Sequence, residues 1–347
     1  MRFVVYGAGG IGGVLGGRLF EHGHEVVLIA RGAHGEAIRE RGLVVESADA
    51  TVTLRIEAVT TPDQVAWKED DVVLLAMKSQ DTADALEALA DVVPRTMPIV
   101  CVQNGVANER MALRLFRYVY GVCVMCPTVY LDPGVVQAYS SPITGIMDVG
   151  RYPDGVDAVA RDIAAAFGRS TYLSDARPDI MRAKYYKLLS NLANVIEATC
   201  GPPAPAGTLG ARAGRIAARA KLDARAELAT RVRAEGVAVL AAAGIDVYTD
   251  EEDAARRDGH LRMQPIGGQR RGGGSTWQSF ARGTRAIETD YLNGEIVLLG
   301  REHGVPTPVN ELFQGLAREL TLAGAPPGSM AARDVLARLN AGRRTPT

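Results

Sequence analysis

The residues with the clearest chemical purpose are Lys187, Asn191 and Asn194, in the run Lys184-Tyr185-Tyr186-Lys187-Leu188-Leu189-Ser190-Asn191-Leu192-Ala193-Asn194. At helical spacing of ~100° per residue, these three fall in a stripe ~60° wide. Tyr185, Leu188, Leu189, Leu192 and Ile196 fill the other side. A merely solvated face favours Glu, Lys and Arg, which form helices better than Asn does. Two asparagines in line with a lysine suggest a surface that hydrogen-bonds something polar. An ordinary exposed stripe is the alternative.

A second group handles phosphate. Gly7-Ala8-Gly9-Gly10-Ile11-Gly12 follows the apolar run Arg2-Phe3-Val4-Val5-Tyr6 and precedes Val14-Leu15 and Leu19-Phe20 at helical spacing. Strand, glycine turn and helix together form a dinucleotide-binding motif. Gly7 permits the turn, Gly9 lets backbone approach a pyrophosphate, and Gly12 lets helix and strand pack. The phosphates then meet free N–H groups at the positive end of a helix dipole. Arg31 directly follows the second strand, where NAD-specific sheets usually carry an acidic residue. A cation suits a 2′-phosphate, so NADP(H) is the expected cofactor, with a solvated strand-end arginine as the alternative. Lys78 and Asn104 each follow a further apolar strand, on the rim where open α/β sheets bind ligands. Lys78 is suited to neutralising phosphate and Asn104 to bonding ribose or substrate. A snorkelling lysine and a turn-forming Asn-Gly are the alternatives. Ser275 follows a glycine-rich stretch and is placed to close over a ligand, and Glu288 starts an amphipathic segment.

The elements needed to hold these residues are legible. Short β-rich runs at 24–30, 71–76 and 98–102 alternate with helical patterns, as in a parallel doubly wound sheet. Runs at 122–125, 135–139 and 144–147 suggest antiparallel additions. After Pro178 the pattern turns helical: one long helix over 180–199, then 210–243, 285–303, 308–320 and 331–339. Residues 267–274 read as a flexible loop. The expected architecture is α/β, with an N-terminal Rossmann-type doubly wound sheet over residues 1–176 and a C-terminal all-helical domain over 177–347.

Composition sets bounds. A chain of 347 residues should hold two domains. A formal net charge of -1 gives no basic field for nucleic acid. No apolar run reaches the ~18 residues of a membrane span, so a cytoplasmic address is expected. Cys123-Val124-Met125-Cys126 has CxxC spacing, but it sits in a strand-like run without a second pair. It reads as core, not as a metal site. The Ala-rich stretch 210–243 is compatible with a homodimer.

In order and spacing these motifs resemble the ketopantoate reductase (2-dehydropantoate 2-reductase) family from Met1 to about Leu320. The resemblance rests on the glycine turn, Arg31, Lys78, Gln103-Asn104-Gly105, Lys187 with Asn191, and Glu288-Thr289-Asp290-Tyr291-Leu292-Asn293-Gly294. It implies NADPH-dependent reduction of a 2-oxo acid, 2-dehydropantoate to pantoate, on the way to coenzyme A. Lys187 would be the general acid. Asn104 and Asn191 would bind substrate, with Asn104 also touching cofactor. Lys78 and Glu288 would contact the cofactor, and Thr128, where the family often has Ala, would touch it through its backbone. There are two departures. A second family asparagine, eight residues after the lysine, is replaced by Val195, with Asn194 one position earlier. Ser275-Thr276-Trp277-Gln278-Ser279 lacks an aspartate that the family often carries. Both lie where substrate would be held. A different 2-oxo acid or carbonyl substrate, or an NADP(H)-binding sensor without catalysis, are the competing readings.

Overall fold

The computed structural model of the chain describes residues 1–201, 212–283 and 288–342. In chain order the front elements are β1 (Arg2–Tyr6), α1 (Gly10–Glu21), β2 (Val26–Ile29), α2 (Gly32–Arg41), β3 (Leu43–Ser47), β4 (Thr51–Leu54), β5 (Glu57–Val59) and β6 (Asp71–Leu75). Next come α3 (Thr82–Ala90), β7 (Ile99–Cys101), α4 (Asn108–Leu113), β8 (Val119–Met125), β9 (Thr128–Val129), β10 (Val135–Ala138), β11 (Gly145–Arg151), α5 (Ala158–Arg169) and β12 (Tyr172–Leu173). The helices α6 (Ile180–Asn191), α7 (Asn194–Cys200), α8 (Arg212–Ala242), α9 (Asp250–Arg257), α10 (Ser275–Ala281), α11 (Asn293–His303), α12 (Pro308–Leu322) and α13 (Ala332–Gly342) follow.

Contacts divide the chain into two compact units. One is Met1–Lys187 with Val247–Gly272; the other is Leu188–Asp246 with Gly273–Thr347. The division therefore falls later than residue 176, and a segment carrying α9 returns to the front unit.

The front unit is built on an eight-stranded sheet ordered β12-β11-β8-β7-β6-β1-β2-β5. Within it, β5-β2-β1-β6-β7-β8 is the parallel dinucleotide-binding order, with the chain reversing direction across the sheet between β1 and β6. Its strands read as unbroken apolar runs because both faces are covered. Val72 and Leu74 enter one core with Leu15, Leu19 and Phe167. Val73 and Leu75 enter another with Leu86, Leu89 and Phe116.

Two expectations need correction. Of the strands expected as antiparallel additions, β8 continues the parallel order beside β7, and only β11 runs antiparallel to it. β10 leaves this sheet altogether. It pairs in parallel with β3 in a second sheet ordered β4-β3-β10-β9. That long-range pairing carries no local signature.

The expected helix over 180–199 is also broken, at Leu192-Ala193. The Leu192 carbonyl accepts a bond from Asn293 Nδ2 (3.1 Å), and Asn293 in turn bonds Asn310 Oδ1 (3.0 Å). Asn310 is anchored to the Val232 carbonyl and Glu235. All of these groups belong to the rear unit, and they take a carbonyl that a continuous helix would have used itself.

At the start of the glycine-rich stretch the chain makes a tight hairpin. Ile266 and Gln269 exchange backbone bonds of 3.0 and 2.9 Å around Gly267 (φ 56) and Gly268 (φ 78). Positive φ at both central residues is a type I′ turn, which glycine accepts without strain.

The rear unit consists of helices and one 3-10 turn, Glu288–Tyr291, among the described residues. Residues 285–287, expected to open the third helix, lie outside the described residues; α11 itself begins at Asn293. No helix of the described residues is long and apolar enough to cross a membrane.

Candidate active site

In the front unit the glycine turn sits at the β1/β6 switch point. Gly7 has φ 97, and a Cβ there would lie 2.7 Å from the Met77 nitrogen. A Cβ on Gly12 would lie 2.1 Å from the Gly7 carbonyl oxygen. Only glycine fits either position. Gly9 is different: a Cβ there would meet nothing nearer than Tyr130, at 3.9 Å, so the turn leaves space on its outer side. Gly9 caps α1 without a side-chain bond, and the first turn of α1 has no acidic residue. Its N–H groups and dipole are therefore available to an anion. Thr128, buried at the start of β9, places its Oγ1 3.1 Å from where a Gly10 Cβ would be. Ala8 and Ile11 complete the turn.

His34, which the sequence reading missed, braces this turn. The buried ring accepts from the Gly134 N–H at Nδ1 (2.8 Å), so Nε2 carries the proton and donates to the Ala8 carbonyl (2.7 Å). Tyr130 packs against the ring at 4.4 Å between centroids. Burial lowers the His34 pKa below its ordinary value, against a smaller opposing effect of the Ala8 bond.

Arg31 caps α2 at the tip of β2 and is exposed, in an ion pair of 3.2 Å with Asp81. Exposed pairs hold weakly, so the guanidinium can exchange this partner for a phosphate. Lys78 follows β6, half-buried, at the start of the 3-10 turn Ser79–Asp81. Asn104 follows β7, next to Gly105 with φ 79.

A buried network ties the last two loops together. Gln103 Nε2 donates to the Met77 carbonyl (2.9 Å) and to Thr82 Oγ1 (2.8 Å). Thr82 donates to Asn108 Oδ1 (2.9 Å), and Asn108 Nδ2 reaches Ser79 Oγ and the Asn104 carbonyl, both at 3.2 Å.

The helix α6 is locked to the same loop by a residue not singled out from sequence. Lys184 is buried; its Nζ donates to the carbonyls of Gln103 (2.8 Å) and Val122 (3.1 Å) and lies 2.8 Å from Glu109 Oε1. Neither Glu109 oxygen has an aligned hydrogen-bond donor among the described residues. The contact is an ion pair by distance, and the carboxylate depends on it. One turn further along α6, Lys187 is half-buried. No hydrogen bond or ion pair to its amine occurs among the described residues. Burial lowers its pKa from the usual 10.5, and Arg257 and Arg271 add to this against the opposing Cys123 and Asp253. A lysine so placed is suited to giving up a proton. The Cys123 thiol is held protonated by burial, to about 11, as expected of a core cysteine.

In the rear unit, Asn191 is buried at the end of α6, one turn from Lys187 along that helix. Asn194 opens α7 beyond the break, so a continuous-helix face does not place it. Its position follows instead from α10: Asn194 Oδ1 lies 3.4 Å from where a Cβ on Gly274 would be. The Gly274 N–H donates to Glu197 (2.9 Å), and Ser275 is the next residue. Asn194 and Ser275 thus gather at the α7–α10 junction. Glu288 is buried at the start of the 3-10 turn. Val195, where the resembled family has asparagine, is core.

Comparison with known proteins matches both parts of the chain. The family profile described as ketopantoate reductase PanE/ApbA matches residues 3–153, and that of its C-terminal part matches residues 179–321. A 2-dehydropantoate 2-reductase of Pyrococcus horikoshii is 29% identical over 319 residues, covering 92% of this chain and 97% of that protein. The crystal structure of a PanE/ApbA family ketopantoate reductase from Ralstonia eutropha JMP134 matches with a TM-score of 0.75 at 28% identity, over 93% of this chain and 99% of that one. The structure of D-mandelate dehydrogenase with NADH and anilino(oxo)acetate shares the fold, with a TM-score of 0.74 at 20% identity over 93% and 99% of the two chains. With both parts of the chain matched and a nucleotide-binding turn in place, the chain belongs to the ketopantoate reductase family and is an NAD(P)-dependent oxidoreductase.

Proposed function

We propose that the protein reduces a 2-oxo acid to the 2-hydroxy acid with NADPH, and that the substrate is 2-dehydropantoate, giving pantoate. The observation that carries this is Lys187: an amine with a lowered pKa and no protein partner among the described residues, on a helix locked to the Asn104 loop.

The cofactor supplies the hydride. Its pyrophosphate would lie on the N–H groups of Gly7 to Gly12 at the start of α1, with Thr128 alongside. Arg31 would take the 2′-phosphate, and Lys78 would neutralise phosphate. Asn104 and Glu288 would hold the nicotinamide side. Lys187 would donate its Nζ proton to the ketone oxygen as that oxygen gains charge, and its positive charge would stabilise the developing alkoxide. Asn104 and Asn191 would orient the substrate, with Asn194 and Ser275 as further polar contacts.

A second reading, a 2-oxo acid with a different substituent, is favoured by Val195 and by the altered segment after Ser275. One experiment separates the readings: NADPH absorbance followed with 2-dehydropantoate and a panel of 2-oxo acids, with NADH as control. Fastest oxidation with 2-dehydropantoate supports the proposal. A preference for another acid moves the assignment to it. NADPH binding without oxidation on any member removes catalysis.

A further inference from the structure

Leu192 lies between Asn191 and Asn194, and its carbonyl is where the helix is interrupted. No proline or glycine occurs from Ile180 to Cys200, so the run itself contains no helix breaker. The remaining cause of a sharp break is a side chain inserted into the ladder of backbone bonds. Asn293 is that side chain. The Leu192 N–H still reaches the Leu188 carbonyl (3.1 Å), as a helix requires. Four residues on, the Ile196 N–H would bond the Leu192 carbonyl in a continuous helix. It bonds the Ala193 carbonyl instead (3.0 Å), while Asn293 Nδ2 occupies Leu192 (3.1 Å).

The inserted amide is itself held fast. Asn293 has two N–H donors on Nδ2, and both are engaged: one on Leu192 and one on Asn310 Oδ1 (3.0 Å). Asn310 gives its own two to the Val232 carbonyl (3.2 Å) and to Glu235 Oε2 (2.8 Å). Glu235 also accepts the N–H groups of Val309 (2.9 Å) and Asn310 (3.0 Å) at the start of α12. Asn293 and Asn310 are both buried, so water does not compete for these bonds. The side chain that opens the break, at the start of α11, is thus fixed by α8 and α12.

The break decides where Asn194 points. In an unbroken helix it would lie on the stripe of Lys187 and Asn191. Instead it opens α7, with its Oδ1 3.4 Å from the Cβ position of Gly274, the residue before Ser275. No hydrogen bond to the Asn194 side chain occurs among the described residues, so its direction follows from the backbone of the break. We infer that Asn293 is a positioning residue for substrate selection: by holding the Leu192 carbonyl it directs the Asn194 amide to the side of Ser275. The inference rests on the reading of Asn194 as a substrate contact. An amide is needed at position 293. An ionised aspartate of the same shape has no donor and would set its charge against the Leu192 carbonyl. Alanine would return that carbonyl to Ile196, and α6 and α7 would close into one helix.

The test is a double-mutant cycle of Asn194→Ala and Asn293→Ala on the best 2-oxo acid of the panel. Each single variant raises KM about 3- to 10-fold, the range for one lost hydrogen bond, with the NADPH Kd unchanged. The double variant is no worse than Asn194→Ala, because an amide that is gone has no direction to lose. A merely structural Asn293 gives the product of the two losses, about 10- to 100-fold, and that result overturns the inference. An unchanged KM in either single variant overturns it too; in Asn194→Ala it is the substrate contact that fails. Asn293→Ser, which keeps one hydroxyl donor, is carried through the same cycle and decides if Asn293→Ala does not fold. If neither folds, Asn293 is structural and the inference is overturned. If the wild-type protein reduces no 2-oxo acid, the functional reading fails by itself. A crystal structure of the folded variant then decides the positioning: an Ile196 N–H returned to the Leu192 carbonyl upholds it, and an unchanged break ends it.

Discussion

Removing the Lys184 side-chain charge should damage the front unit more than any surface change. Lys184→Met keeps the aliphatic stem but leaves Glu109, with a fully buried side chain, without its counter-charge. It also leaves the Gln103 and Val122 carbonyls without their donor. Breaking one partner of a buried pair costs about 3–5 kcal/mol. Against a typical domain stability of about 5–15 kcal/mol, that is a substantial fraction. Replacing both partners, as in Lys184→Met with Glu109→Leu, removes the stranded charge, so the double variant should be less destabilised than Lys184→Met alone. Urea unfolding in a Trp277→Phe background reports this unit, because Trp67 is then the remaining tryptophan of the two in the chain. The double-mutant cycle should give a coupling of more than about 1 kcal/mol. If Lys184→Met costs less than about 1 kcal/mol, or the cycle is additive, the reasoning is wrong.

Three further predictions follow from the cofactor side. His34 has a lowered pKa, so the neutral ring is favoured in the fold; its contribution is complete above the ordinary pKa of 6.5 and is lost as pH falls through the lower folded value. NADPH affinity and melting temperature should fall together below pH 6.5, and His34→Gln should flatten that dependence; a variant with the wild-type slope would refute the bracing role. Arg31→Ala should weaken NADPH about 10- to 100-fold while leaving NADH nearly unchanged, measured by fluorescence titration; equal losses for both cofactors would remove the 2′-phosphate assignment. Gly12→Ala would drive a Cβ to 2.1 Å from the Gly7 carbonyl, so nucleotide binding should be abolished on a calorimeter, whereas retained affinity would show that the turn can relax.

Local pattern carried much of this far, because the glycine turn and the buried parallel strands are local signals. The run around Val72–Leu75 is apolar throughout since both sheet faces are covered, and that identifies its place without long-range information. What stayed hidden depends on pairings distant in the chain. Lys184 and Glu109 meet from opposite sides of the whole β8–β12 stretch, and nothing near either residue marks the partner. The break after Asn191 arises from Asn293, about a hundred positions away, so helical periodicity ran past it. His34 has no local mark in the sequence; only the Ala8 and Gly134 backbone bonds give it a task. Nothing in the run before the glycine-rich stretch 267–274 marks its contact with the end of β10, a pairing distant in the chain.

The most direct measurement is single-turnover NADPH oxidation by Lys187→Ala beside wild type at neutral pH, with NADPH Kd determined on the same samples. Loss of a general acid predicts a fall of about 10²- to 10⁴-fold in the chemical step with cofactor affinity retained. Turnover near the wild-type rate in that variant would contradict the account.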